Sequence, residues 1–487
     1  MNGATRVLAF DFGASSGRAI LATYDGENFS YEEIHRFENV PHEVNGHLCW
    51  NFDVLRSEVQ KGIDKAGAFD SIGFDTWGVD FGLLDENGAL LADPVHYRDR
   101  RTDGMIEKAL KTMRASELYG KTGTQLIFFN TLFQLMALKE QQPELLEKAK
   151  TLLFMPDLFA YTLSGVPACE RSIASTSQLL DTETGDWCHD ILEAFGLPER
   201  ILLPPVKSGS ITGVMHNGAK VIAVAGHDTQ CASAAVPTHD PNVAFLSCGT
   251  WSLLGTELDR PILSQASMKL GLSNELGANG RVNYLKNIIG LWLIQESRRA
   301  LRQKGEEYSY ADLERLALQA EPFRCFIDPD APEFAPPGDI PERVREFCRR
   351  TGQTPPQTVG EVMRCIYESL ALKYRYAVEQ LRDATGKRFS ALHILGGGTK
   401  DRLLCQMSAN STGLPVVAGP VEATALGNII IQLVALGKLG NIDAGRDLIA
   451  ATETLKHYTP AETQQWNLAY ETFQTILNKG VINNAVS

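Results

Sequence analysis

Two turns built from small residues, Gly13-Ala14-Ser15-Ser16-Gly17 and Ser247-Cys248-Gly249-Thr250, each lie between two apolar runs, one turn near the opening of each half of the chain. The first joins Val7-Leu8-Ala9-Phe10 to Ala19-Ile20-Leu21-Ala22, and the second joins Ala244-Phe245-Leu246 to Trp251-Ser252-Leu253-Leu254. Strand, tight turn and strand, twice over, imply an internal duplication. The length of 487 residues points the same way, because one compact core does not grow that large. Helical periodicity over 53–66, 132–147, 288–302, 359–385 and 423–436 alternates with strands, among them 391–395. That alternation predicts two α/β domains around a cleft. The turn-rich segment 236–242 is the candidate hinge, and 461–477 reads as an amphipathic helix with Trp466, Tyr470 and Phe473 on one side.

Charge narrows the function classes. Forty-six basic against 59 acidic residues give a net charge of −13, which opposes binding to nucleic acid and to anionic membranes. The first apolar run is too short for a secretory signal. The late run 429–436 contains Gln432 and falls far short of the ~20 residues that span a bilayer, so the expected location is the cytoplasm. Nine cysteines show no CxxC spacing, which argues against structural zinc and against a secreted disulfide framework. Cys348 and Cys365 flank a Pro-containing loop that could bring them together, with reduced core thiols as the alternative.

Several segments have the residue types that phosphate and polyol chemistry needs. Phosphates are held by backbone N–H groups that small-residue turns bring close. The amides from Ala14 to Arg18, with Ser15, Ser16, Gly17 and the Arg18 charge, could therefore cradle a terminal phosphate, and Asp11 could hold a hydrated Mg²⁺. The alternative for this turn is a plain tight hairpin. Thr250 offers a second hydroxyl, and Gly396-Gly397-Gly398 after a strand leaves bare backbone for a ligand, or is simply a flexible loop. No P-loop occurs. The segment Asp75-Thr76-Trp77-Gly78-Val79-Asp80 reads as a polyol platform or as a core Trp beside a solvated Asp. Tyr97-Arg98-Asp99-Arg100-Arg101 reads as a salt-bridged surface turn. Asn287 and Gln295 read as the two ends of one helix, about 12 Å apart. The run Gly226-His227-Asp228-Thr229 ends an apolar strand, where Asp228 could take a proton from a substrate hydroxyl, or merely cap the next helix.

In kind and in order, Asp11-x-Gly-Ala-Ser-Ser-Gly-Arg18, Asp75-Thr-Trp-Gly-Val-Asp80, Gly226-His-Asp228, Ser247-x-Gly-Thr250-Trp-Ser252 and Gly396-Gly-Gly398 resemble the motifs of the FGGY carbohydrate kinases. Leu285-Lys-Asn287-Ile-Ile-Gly-Leu-Trp292 and Gly419-Pro-Val-Glu-Ala423 narrow the resemblance to kinases acting on L-rhamnulose. The resemblance implies two actin-like, ribonuclease-H-like domains that close on ATP and sugar: residues 1–242 for sugar, the first phosphate hairpin and the catalytic Asp, 243–457 for nucleotide, and 458–487 as a helical tail. It implies nucleotide contacts at Ala14, Ser15, Ser16, Gly17, Arg18, Thr250, Gln295 and Gly397, and ketose contacts at Gly78, His227, Asp228, Thr229 and Asn287. Asp228 matches the family's catalytic base. The implied reaction moves phosphate from MgATP to the O1 hydroxyl of L-rhamnulose, another ketose or polyol such as L-fuculose or xylulose being the alternative, in a monomer or homodimer. Cysteine usage departs from the relatives, with only the spacing of Cys348 and Cys365 shared.

Overall fold

The structure is a computed structural model that describes residues 4–484. The chain forms two compact units. The first gathers the residues up to His239 with Glu257–Tyr284 and Ala423–Thr452, and the second gathers Asp240–Thr256, Leu285–Glu422 and the residues from Glu453 on. The first boundary falls inside the turn-rich segment 236–242.

The first unit is organised on a sheet of strands β1 (Thr5–Phe12), β2 (Ser16–Tyr24), β3 (Phe29–Glu38), β4 (Ser71–Asp75), β5 (Ser210–Val214) and β6 (Lys220–Ala223), in the order β5-β6-β4-β1-β2-β3. Strand β1 buries every residue except Arg6, as an apolar run without alternation requires of a strand covered on both faces. It pairs antiparallel with β2 and parallel with β4, which is parallel to β6. β1, β4 and β6 therefore end at one edge. Late in sequence, the helix Ala423–Ala435 returns to this unit and crosses the helix Asp228–Ala234 at Gly427, where a Cβ would stand 1.8 Å from the Cys231 carbonyl oxygen. Only Gly admits that approach. From this helix Gln432 donates to the Leu8 carbonyl (3.0 Å) and accepts from the Ser71 hydroxyl (2.6 Å), tying the helix to β1 and β4.

The second unit repeats the plan. Strands β7 (Val243–Cys248), β8 (Trp251–Leu258), β9 (Val282–Ile289), β10 (Ala391–Leu395), β11 (Val416–Ala418) and β12 (Lys456–Tyr458) follow the order β12-β11-β10-β7-β8-β9 within a seven-stranded sheet. The last two residues of β8 and the first three of β9 fall in the segment Glu257–Tyr284 counted with the first unit. The hairpin β7–β8 matches β1–β2, the parallel strands β7, β10 and β11 match β1, β4 and β6, and an antiparallel strand closes the same end of each series. This is the duplication that the two small-residue turns implied. The long helix Val359–Thr385 opens on a Thr358/Glu361 capping box and stops at Gly386, whose φ is 70°. Trp466, Tyr470 and Phe473 are buried along the last helix, with Phe323 edge-on to Trp466 and Phe326 edge-on to Phe473.

Two helices differ from the sequence reading. The one expected over 132–147 is broken into Thr131–Gln141 and Pro143–Lys148, because the proline cannot continue the first helix and starts the second. The one expected over 288–302 begins only at Trp292. Among the described residues, no helix is long and apolar enough to cross a membrane.

Candidate active site

The edge of the first unit's sheet where β1, β4 and β6 end collects three carboxylates. Asp11 and Asp75 are register partners on β1 and β4. Past β4 and β6 the pairing continues, with the Thr76 amide donating to the Gly226 carbonyl (2.9 Å) and the Asp228 amide to the Thr76 carbonyl (2.8 Å). This brings the Asp75-Thr76-Trp77-Gly78 and Gly226-His227-Asp228-Thr229 segments side by side. The Gly226 amide is fixed by Glu170 Oε2 at 2.9 Å, a carboxylate that also accepts from the Ser172 and Ile173 amides and from the Ser172 and Ser208 hydroxyls.

Asp228 begins the helix Asp228–Ala234 and keeps 31% of its side chain exposed, whereas neighbouring His227 keeps 10%. The imidazole links two acids: Nδ1 donates to Glu275 Oε2 at 2.7 Å, and Nε2 lies 3.3 Å from Asp228 Oδ1. Gln230 Nε2 also donates to Glu275 Oε2, at 2.7 Å. Burial alone would depress the basicity of His227, but the Glu275 charge and hydrogen bond, helped by Asp228, lift its pKa to about 9. The ring is a cation at neutral pH. Desolvation raises the pKa of Asp228, His227 opposes the rise, and Asp11 adds to it. The result is a partly open carboxylate with above-ordinary proton affinity, as an acceptor of a hydroxyl proton requires.

At the first turn, Arg18 donates to Asp11 Oδ2 from Nε (2.9 Å) and Nη2 (2.6 Å). The turn closes through the Gly13 amide to the Ser16 carbonyl (2.9 Å), and Asn39 holds the Ser15 and Gly13 carbonyls. Ser15 is exposed at its tip. Gly17 has a packing reason of its own, because a Cβ there would meet the Phe37 ring at 2.2 Å.

The second unit places its small-residue turns together as well. Ser247 and Leu395 are register partners on parallel β7 and β10, so the turn at Cys248–Thr250 and the Gly396-Gly397-Gly398 loop leave the same edge. Gly398 packs so closely on Cys248 that a Cβ would meet its sulfur at 2.2 Å, while Gly397 is exposed with nothing within 4 Å of a Cβ. Amides of Gly290, Leu291 and Trp292 donate to carbonyls of Thr250 and Gly249, which docks the turn on the start of the helix Trp292–Gln303. The Thr250 hydroxyl thereby reaches Gln295 Oε1 at 3.3 Å.

Comparison with known proteins decides the family. Residues 6–235 match the pattern of the FGGY family of carbohydrate kinases, N-terminal domain, and residues 244–436 that of its C-terminal domain. The chain belongs to the FGGY carbohydrate kinases. It is 43% identical to the rhamnulokinase of Bacteroides thetaiotaomicron, over 96% of this chain and 98% of that one, and 40% identical to the rhamnulokinase of Yersinia pestis, over 96% and 98%. Among solved structures, ligand-bound xylulose kinase from Lactobacillus acidophilus superposes with a TM-score of 0.78 at 16% identity, covering 99% and 98% of the two chains. Glycerol kinase of Plasmodium falciparum with ADP gives 0.77 at 16%, also covering 99% and 98%. The fold is the two-domain, actin-like, ribonuclease-H-like fold of the sugar kinases, and the chain is a carbohydrate kinase that uses ATP.

For an FGGY kinase, three readings from sequence need correction. Asn287 lies in strand β9, not on the helix that carries Gln295, because Gly290 and Leu291 separate the strand from the helix. Trp77 and Asp80 are not a platform for hydroxyls: both are buried, Trp77 against Trp50, and Asp80 Oδ2 accepts from Trp50, Trp77 and the Tyr97 amide while Oδ1 accepts from Gln134. Nor is Asp80 solvated, and its desolvation lifts the carboxyl to about 6. In the charged turn at 97–101, Asp99 and Arg101 are buried, Arg101 bonding Gln134 at 2.6 Å and Asp99 accepting from His47 and the Leu48 amide. Gly78 abuts Thr176, whose side-chain atoms would lie 3.2–3.3 Å from a Cβ.

The sequence reading missed Glu275, Glu170 and Asn428, and gave Asp75 no role. Asn428 donates to Asp75 Oδ2 at 2.7 Å, leaving Oδ1 buried without a hydrogen-bond partner. Glu275 is buried with Leu272, Ser273 and Asn274, but Ser-Asn-Glu is a polar run that gives no sign of burial in the sequence.

Proposed function

We propose that this kinase transfers the γ-phosphoryl group of ATP to the O1 hydroxyl of L-rhamnulose, giving L-rhamnulose 1-phosphate and ADP in L-rhamnose catabolism in the cytoplasm. The observation that carries the chemistry is Asp228, a partly open carboxylate at the strand edge, oriented by a buried imidazolium. The identity of 40–43% to rhamnulokinases supports the ketose. Asp228 accepts the O1 proton as that oxygen bonds to the γ-phosphorus and the bond to the β–γ bridging oxygen breaks. ADP leaves with the electron pair, and the proton passes from Asp228 to solvent. His227, held by Glu275, offers its Nε2–H beside the same carboxylate and orients it. Gly78, Thr229 and Asn287 complete the ketose contacts. The amides and hydroxyls of Ala14, Ser15, Ser16 and Gly17, with Arg18, bind the terminal phosphate, and Thr250, Gln295 and Gly397 bind the rest of the nucleotide.

A divalent cation suits the first unit's sheet edge. Three carboxylates lie near one another, Asp75 has an orphaned buried oxygen, and its carboxyl is pushed well above the usual range by desolvation and by Asp11 and Asp228. Asp11 would hold Mg²⁺ through water. When bound, the ion supplies charge neutralisation for the phosphates. On this reading the sugar domain is not the continuous stretch 1–242 but the first unit, which segments 257–284 and 423–452 rejoin, the second unit is the nucleotide domain, the partners are ketose and ATP without nucleic acid or membrane, and the chain acts as a monomer or homodimer. Product analysis tests the regiochemistry: ³¹P–¹³C coupling in the isolated product is expected at C1, and coupling at another carbon would overturn the assignment.

A further inference from the structure

Four charged side chains of the second unit meet at the end of β9, the strand that carries Asn287. Lys373, on the helix Val359–Thr385, is 4% exposed, and its Nζ bonds Asp328 Oδ1 at 2.7 Å and Asp330 Oδ2 at 3.0 Å. Lys286, the residue before Asn287, is 8% exposed and shares the Tyr376 ring with Lys373, the two ammonium groups standing 5.9 and 5.7 Å from its centroid. The other oxygen of Asp330, Oδ1, accepts from the amide of Ile289, the last residue of β9, at 2.8 Å. The loop that carries the two aspartates is itself strapped down. The Asp330 amide donates to Asp328 Oδ1 (3.1 Å), the Ile327 amide to the Ser369 hydroxyl (2.9 Å), and Phe326 exchanges two 2.8 Å bonds with the Gln353 side chain.

Desolvating two lysines and two aspartates costs about what their attraction returns, so stability alone does not account for the cluster, whereas fixing one arrangement does. What it fixes is β9 on both sides of Asn287, through the Lys286 side chain before it and the Ile289 backbone after it. Asn287 is the one residue of β9 that is not buried. We propose that Asp330 is a positioning residue for ketose binding: held by Lys373, its carboxylate fixes the end of β9 through the Ile289 amide and so presents the Asn287 side chain to the sugar. This rests on the reading of Asn287 as a ketose contact. The charge on Asp330 makes the bond to the Ile289 amide stronger than one between neutral groups. The start of the helix that carries Gln295 has separate anchors, because the Gly290, Leu291 and Trp292 amides donate to the Thr250 and Gly249 carbonyls. Loss of Asp330 should therefore be felt by the ketose and not by the nucleotide.

Steady-state kinetics on the full chain, with L-rhamnulose and ATP varied separately, test this. Asp330→Ala should raise the ketose KM about 10-fold or more, since a shift of about 1 Å far from the chemistry can cost about 10²-fold. The KM for ATP should stay within about twofold of wild type. Asp330→Asn keeps an oxygen for the Ile289 amide and should hold the ketose KM within about threefold of wild type. In an Asn287→Ala background, Asp330→Ala should add less than about twofold, because a residue that acts through another is not additive with it; a purely structural role would add in full. Should the alanine variant fail to fold, Asp330→Glu, which moves the carboxylate by one methylene, carries the same expectation. A wild-type ketose KM in Asp330→Ala or Asp330→Glu, no rescue by Asp330→Asn, or full additivity with Asn287→Ala would overturn the positioning role alone. An unaltered ketose KM in Asn287→Ala would overturn the ketose contact, and the positioning role with it.

Discussion

At the residue scale, Glu275, His227 and Asp228 form one line of interacting side chains. Asp228→Asn should leave the KM for the ketose near wild type and lower kcat by about 10²–10⁴-fold, the usual contribution of a general base; steady-state ADP release measures both. Glu275→Gln removes the carboxylate that keeps His227 charged. It should lower kcat/KM for the ketose by about 10- to 100-fold, the scale of one charge-assisted hydrogen bond of about 1.5–3 kcal/mol. The same pair sets a pH dependence. The folded pKa of His227, about 9, lies above its ordinary 6.5. Its stabilising contribution, roughly 3 kcal/mol, is fully present below pH 6.5 and is lost as pH rises through 9. Melting temperature should accordingly fall between pH 6.5 and 9 in the wild type and fall less in Glu275→Gln. His227 and Asp228 were legible because they adjoin in one strand-ending motif, whereas Glu275 lies 48 residues from its partner and no local pattern couples them. Trp77 and Asp80 show the converse failure: residues suited to sugar binding are consumed by Trp50, Gln134 and the Tyr97 amide, which only packing reveals.

At the scale of elements, the parallel strands and the small-residue turns place Asp11, Asp75, Asp228, Thr250 and Gly397, while Glu275, Gln295 and Asn428 come from other elements. The legibility of these elements follows from burial, since β1 carries the apolar run Val7–Phe10, β10 is apolar but for His393, and the helix Val359–Thr385 has a cap and a terminal Gly that mark both ends. The start of the helix carrying Gln295 was illegible because Ile288 and Ile289 continue the apolar period of either element, and the hydrogen bonds of β9 decide for strand. The late helix Ala423–Ala435 was read as a helix, but not as a member of the first unit, since the Gly427–Cys231 contact spans almost two hundred residues. Gly427→Ala should destabilise the fold by about 1–3 kcal/mol through overpacking and, by displacing Asn428 from Asp75, should lower kcat as well. Calorimetry and steady-state kinetics on this one variant check both expectations, and a variant with unchanged melting temperature would contradict the contact.

At the scale of the whole molecule, the chain has two units with the same strand plan: the first holds Asp11, Asp75, Asp228 and the turn at 13–17, the second the turns at Thr250 and Gly397. The duplication was visible in sequence as a pair of matching hairpins, but the membership of 257–284 and 423–452 in the first unit was not, because chain order does not report which segments return to an earlier sheet. On the proposed function, the molecule is a ketose kinase for L-rhamnulose. The most direct test of that function is coupled ADP release with MgATP against L-rhamnulose, L-fuculose, D-xylulose, L-ribulose and glycerol, with a control lacking sugar. The highest kcat/KM is expected for L-rhamnulose, with little turnover in the control. A higher kcat/KM for another acceptor, or turnover indifferent to sugar, would contradict it.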